Sequence, residues 1–211
     1  MPERKLKVKI CGMREPSNIA QVAELRPDYM GFIFYNNSQR YVGLNFFLPE
    51  LEQKEIKRTG VFVNANLKVI RAMVKVHDLQ AVQLHGKETP ELCSSLKDKD
   101  LEVIKAFQVN THFDFDLLQP FKPFVHYFLF DTKSEQYGGS GKIFDWNLLK
   151  KYDQDVPFFL SGGISKSNLK QINLLTGMNL YAVDVNSGVE DSPGIKQPDK
   201  VKALIDILDK L

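Results

Sequence analysis

The sequence predicts an α/β fold, a single-domain (βα)8 TIM barrel spanning residues 1–211. Two observations carry that expectation. Eight short apolar runs of strand length recur along the chain, and the segments between them switch to helical spacing. Strands that alternate with crossover segments imply a parallel sheet, and eight such units can close into a barrel. No linker, low-complexity stretch or charge block marks a second domain.

The strand-like runs lie at 7–11, 29–34, 59–63, 81–85, 102–107, 127–131, 157–161 and 181–185. After Asn66, the residues Leu67, Ile70, Met73, Val74 and His77 repeat at helical intervals. Thr89 followed by Pro90 reads as an N-cap and first helical turn, and Asp145 is placed to cap the helix containing Leu148 and Leu149. Val201, Leu204, Ile205, Leu208 and Leu211 form the apolar stripe of a C-terminal helix. The second crossover, Leu44 to Lys54, has a poor pattern. The alternative open, doubly wound sheet that binds dinucleotides lacks its turn, because Cys11-Gly12-Met13-Arg14 after the first strand is not GxGxxG.

Composition narrows the partners. The formal charge of +2 comes from 28 basic and 26 acidic residues spread along the chain, so no footprint for nucleic acid or a membrane surface stands out. A small molecule is the expected partner. Cys11 and Cys93 are the only cysteines, too few for a disulfide framework and without the spacing of a zinc site, which points to a reducing, cytoplasmic setting. Met1 to Lys9 is charged and lacks the apolar stretch of a signal peptide, and no run approaches the length of a membrane span. Monomer and homodimer both stay open, since Phe46 and Phe47 can pack internally or against a second subunit.

Strands of a parallel sheet are covered on both faces, so polar residues inside them need a reason. Strand alternation puts Lys9 with Cys11, Gln83 with His85, Asp131 with Leu129, and Asp184 with Ala182 on what would be the barrel interior. Each alone has a bland reading: Cys11 as a small buried hydrophobe, His85 as a satisfied histidine, Asp131 or Asp184 as a loop anchor or the partner of a lysine, Gln83 and Lys105 as structural. Together, at C-terminal ends of several strands, they read as an active-site floor. Cys93 sits in a helical pattern with Leu92 and Leu96 and is read as core.

Three glycine-containing loops follow the last three strands: Gly138-Gly139-Ser140-Gly141, Ser161-Gly162-Gly163 and Asn186-Ser187-Gly188. Glycine lets backbone N–H groups approach an anion, and barrels frequently hold a phosphate at the loops after strands seven and eight. Gly141-Lys142 is not a P-loop, because Ile143 replaces the Ser or Thr that motif requires.

These residues resemble a known family. Lys9-Ile10-Cys11-Gly12-Met13, Gly31 to Tyr35 with Ser38 and Arg40, Gly60 to Asn64, Val82 to Gly86, Asp131-Thr132-Lys133, Tyr137 to Gly141, Ser161 to Gly163 and Val183 to Val185 are similar, in that order, to phosphoribosylanthranilate isomerase of tryptophan biosynthesis. The resemblance runs nearly end to end. It implies a barrel of the ribulose-phosphate-binding type and an Amadori rearrangement of N-(5-phosphoribosyl)anthranilate, without metal or organic cofactor. It also implies roles: Cys11 as general base, Asp131 as general acid, and Arg40 on the anthranilate carboxylate. Gly139, Ser140, Gly141, Gly162, Gly163, Ser187 and Gly188 would hold the phosphate, with Gln83, His85 and Asp184 lining the site. Chemically, ring opening needs a proton from an acid whose pKa is raised, and removal of the C2 proton needs a thiolate. With an ordinary thiol value of about 8.5, Cys11 requires a positive neighbour, Lys9 or Arg40. Asn186 stands where the family commonly has a second serine, and Gln197 where an acidic residue is usual. Two rivals remain: the analogous isomerase of histidine biosynthesis, which uses two aspartates, and a barrel that only binds a phosphorylated metabolite.

Overall fold

A computed structural model describes residues 5–43, 46–132 and 145–210. Eight parallel strands close into a barrel in sequence order. They are β1 (Lys7–Ile10), β2 (Tyr29–Ile33), β3 (Lys57–Phe62), β4 (Ala81–Leu84), β5 (Glu102–Val109), β6 (Tyr127–Thr132), β7 (Phe158–Leu160) and β8 (Leu180–Val185). All eight fall where the apolar runs predict them, with ends that differ by at most two residues. Closure is direct: Lys9 of β1 is in register with Tyr29 of β2 on one side and with Asp184 of β8 on the other.

The crossovers are less regular. Four are α-helices: α1 (Pro16–Ala23), α2 (Leu67–His77), α3 (Pro90–Leu96) and α4 (Pro198–Leu208). Three of them start as the sequence indicates or by the same device. Asn66 accepts from the Val69 N–H at α2, Thr89 from Leu92 at α3, and Gln197 from Lys200 at α4. Gln197 is thus a helix cap. The segments Phe115–Phe124, Trp146–Lys151 and Leu169–Leu175 are 3₁₀ turns where helical crossovers are expected. Pro120 and Pro123 explain the first, because neither can supply the N–H an α-helix needs. Asp145 still caps its segment, accepting from the Asn147 N–H. Among the described residues between β2 and β3 there is no helix. Leu48, Leu51 and Ile56 cover that side of the barrel, and Gln53 ties the connection to Glu24 after α1 at 2.8 Å. Leu211, expected on the last helix, lies outside the described residues.

Two hydrophobic regions result. A small inner one, including Tyr29, Ala81, Ile104, Leu129, Phe159 and Ala182, fills the barrel. A larger one, including Val8, Ile10, Phe32, Phe130, Leu160 and Val183, packs between the strands and the outer layer, and buried Cys93 belongs to it as expected. Phe46 packs internally against Phe32, their ring centres 5.7 Å apart, while Phe47 is 82% exposed. No helix among the described residues is long and apolar enough to cross a membrane. At the barrel's N-terminal end, Tyr29 Oη meets Glu102 Oε2 at 3.0 Å and Tyr181 Oη at 3.1 Å. Tyr181 stacks on Tyr127, and the Lys57 ammonium pairs with Glu102.

Candidate active site

The other end is open. A cavity of about 750 Å³, counting its mouth, is lined by Cys11, Gln83, His85, Asp131, Ser161 and Asp184, by Gly162 and Gly163, and by Asn186, Ser187 and Gly188. Period-two alternation delivers the first six from strands or the residues just after them, and the last five come from the loops after β7 and β8. Gly139, Ser140 and Gly141 lie outside the described residues.

Under Cys11 sits a buried charge pair. Lys9 Nζ donates to Asp184 Oδ1 at 2.8 Å, and Ser161 Oγ donates to the other carboxylate oxygen at 3.2 Å. Gly31 makes room for this, because a Cβ there would come within 2.8 Å of Cys11 Sγ and 3.1 Å of Lys9 Nζ. Burial pushes the Cys11 thiol up; Lys9 pulls it down, but Asp184 pushes it up again, and the balance lies above the ordinary value. Burial would lower Lys9, yet Asp184 and Cys11 raise it on balance. Lys9 is therefore a full ammonium whose charge Asp184 already matches. Burial and Asp184 thus oppose the activation to a thiolate expected of a positive neighbour.

Asp131, next to last in β6, has Oδ1 accepting from the Thr132 N–H at 2.8 Å, while Oδ2 lies 3.2 Å from His85 Nε2. His85 Nδ1 in turn contacts the Gln83 amide at 2.7 Å. Gly162, at φ +91°, has no alternative here: a Cβ would sit 2.3 Å from Thr132 Oγ1 and 2.9 Å from Asp131 Oδ1. A Cβ on Gly188 would meet the Ile164 carbonyl at 2.0 Å, so the loops after β7 and β8 abut. Ser187 and Gly188 open a 3₁₀ turn, Ser187–Val189, whose first N–H groups have no acceptor within the turn. Among the described residues, no three His, Cys, Asp or Glu side chains gather as a metal site would require.

Arg40 stands beside this cavity without lining it. Its Nε and Nη2 donate to the two oxygens of Glu190 at 2.8 and 2.7 Å. Glu190 Oε1 also accepts from Lys196 Nζ at 2.7 Å and from the Gly194 N–H at 3.0 Å. Asn186 Oδ1 accepts from the same ammonium at 2.7 Å. Neither Glu190 nor Lys196 is singled out by the sequence. Their partner Arg40 is 150 residues from Glu190, and only closure of the barrel brings the two together.

Comparison with known proteins agrees with this geometry. The model of the N-(5′-phosphoribosyl)anthranilate isomerase family matches residues 8–207. The chain belongs to that family. It is 43% identical over 201 residues to N-(5′-phosphoribosyl)anthranilate isomerase of Parabacteroides distasonis, covering 94% of this chain and 91% of the relative. The crystal structure of the Thermotoga maritima phosphoribosylanthranilate isomerase superposes with a TM-score of 0.83 at 35% identity, covering 98% of this chain and all of the other. A phosphoribosylanthranilate isomerase in complex with reduced 1-(o-carboxyphenylamino)-1-deoxyribulose 5-phosphate superposes with a TM-score of 0.78 at 32% identity, covering 98% and 100% of the two chains.

Proposed function

We propose that Cys11 and Asp131 are the general base and general acid of the family's reaction, the isomerisation of N-(5-phosphoribosyl)anthranilate in tryptophan biosynthesis. The observation that carries this assignment is that the two side chains, from different strands, line one cavity with the glycine turns after β7 and β8 on its wall.

The steps follow from what each group can do. Asp131 gives a proton to the furanose ring oxygen as the bond from that oxygen to C1 breaks, leaving a protonated Schiff base. The Thr132 N–H, already on Oδ1, stabilises the carboxylate that remains. Electron withdrawal by the Schiff base acidifies the C2 proton, which passes to Cys11 as thiolate. The C2–H electron pair forms the enol-amine, and its tautomerisation gives the ketone of 1-(2-carboxyphenylamino)-1-deoxyribulose 5-phosphate. The turns at Gly162, Gly163, Ser187 and Gly188 hold the phosphate through backbone N–H groups, and Gln83, His85 and Asp184 shape the floor. Arg40 takes the anthranilate carboxylate, for which a planar guanidinium offers two parallel hydrogen bonds.

Turnover of freshly made substrate, followed by the loss of anthranilate fluorescence, tests the roles. Wild type is expected to turn over, with kcat reduced about 10²-fold or more in Cys11→Ser and in Asp131→Asn. A Cys11→Ser or Asp131→Asn protein that folds and works near the wild-type rate would remove that residue from the chemistry.

A further inference from the structure

Arg40 is held by something other than substrate. Its Nε–Nη2 edge is bonded at both positions to Glu190, and Nη1 has no partner among the described residues. A guanidinium has two forks on its planar edge, so one bidentate carboxylate leaves the Nη1 side for another. Glu190 is itself over-determined: Lys196 Nζ, the Gly194 N–H and Arg40 all converge on it, and its side chain is 6% exposed. Burial would raise its carboxyl, but Arg40 and Lys196 bring it down to about 2, so it stays charged at any working pH.

The charge count favours a second anion. Arg40 and Lys196, whose ammonium burial lowers to about 8, share one carboxylate, which leaves positive charge in excess within the cluster at neutral pH. Lys9, by contrast, has Asp184 to itself. The cluster reaches the cavity wall through Asn186, whose side chain bonds Lys196 and lines the cavity. Gly12 is small for the same reason: a Cβ there would meet Asn186 Oδ1 at 2.7 Å and Arg40 Cδ at 2.8 Å.

We propose that Glu190 is a positioning residue for substrate recognition. It grips the inner edge of Arg40, backed by Lys196, and so presents the outer edge to the anthranilate carboxylate. The inference rests on the assignment of Arg40 to that carboxylate. It differs from competition, in which Glu190 would have to be displaced before substrate binds.

The test compares inhibition by two reduced product analogues, the (2-carboxyphenyl)amino-deoxyribitol phosphate and its phenyl counterpart without the carboxylate. The ratio of the two inhibition constants isolates the carboxylate, because a loss of folded protein affects both alike. Glu190→Gln is expected to reduce the preference for the carboxylate analogue about tenfold, the size of one charge-assisted hydrogen bond, while the phenyl analogue binds as before. A preference that stays the same or increases overturns the proposal, the increase pointing to competition. If Glu190→Gln does not fold, Glu190→Asp is measured in the same way, because the shorter carboxylate misplaces the guanidinium. Arg40→Met separates the two levels. If it keeps the preference, the assignment of Arg40 fails; if it loses the preference and the Glu190 variants do not, only the positioning role fails.

Discussion

Cys11 has an ammonium for a neighbour, yet its thiol titrates above the ordinary value. A positive charge lowers a thiol's pKa only to the extent that it is not already neutralised, and Lys9 spends its charge on Asp184 at 2.8 Å. With the ammonium matched, desolvation of the thiolate dominates. The consequence for the thiol has a definite sign. A thiol with a raised pKa is protonated at neutral pH, so the thiolate absorbance of Cys11 in the free enzyme, read as the difference from Cys11→Ser, should grow in as a limb on the alkaline side of neutrality. Lys9→Met, which removes the one favourable charge on the same strand, should move that limb to still higher pH. An absorbance titration of the thiol decides it, since a limb complete at neutrality would mean that the thiol ionises easily after all.

The loops that carry these residues are fixed by a second buried network on the outer side of the strands. Lys105 Nζ, 2% exposed on β5, donates to the carbonyls of Leu84, Gly86 and Ala106 and to Glu88 Oε2. Glu88 in turn accepts from the N–H groups of Asn64 and Gly86. The ends of β3, β4 and β5 are thereby tied together, and His85 lies between two of the bonded groups. Lys105→Met would leave the Glu88 carboxylate buried without its cation, at a cost of about 3–5 kcal/mol, and Lys105→Met with Glu88→Gln should recover part of that. Urea unfolding measures both; a single variant as stable as wild type would show the pair to be dispensable. This network, like that of Arg40, Glu190 and Lys196, is hard to read from the chain. The strands are legible because burial on two faces imposes continuous apolar runs, and Cys11, Gln83, His85, Asp131 and Asp184 because they interrupt those runs or end them. Glu88 in a polar loop and Glu190 in the short strand Glu190–Ser192 stand where an acidic residue is unremarkable, and only the folded barrel reveals their partners. Among its described residues, 46–54, the poorly patterned crossover covers the barrel with the scattered Leu48 and Leu51 instead of a helical stripe.

The whole molecule divides its labour between the two ends of one barrel. At the C-terminal end, polar groups are left facing a cavity; at the N-terminal end, they satisfy one another and close the interior. Tyr29, Tyr127 and Tyr181 bring ring surface to the inner core, and their hydroxyls and Glu102 meet at the rim with Lys57, whose ammonium also lies 5.4 Å from the centre of the Tyr29 ring. Burial and the nearby Glu102 carboxylate keep the Tyr29 phenol from ionising, so it is a permanent donor. If this end serves stability alone, the two properties should separate. Tyr29→Phe keeps the ring packing and removes the phenol's hydrogen bonds to the Tyr181 hydroxyl and to the Glu102 carboxylate, which Lys57 still neutralises, so unfolding should become easier by about 2 kcal/mol. Its kcat/KM should match wild type, since strands β2 and β3 keep their register and no cavity residue moves. Denaturant unfolding read beside turnover on the same preparation checks both halves. A variant that loses activity at unchanged stability would mean that the tyrosine end is coupled to the cavity end, the densely packed inner core between them transmitting the strain.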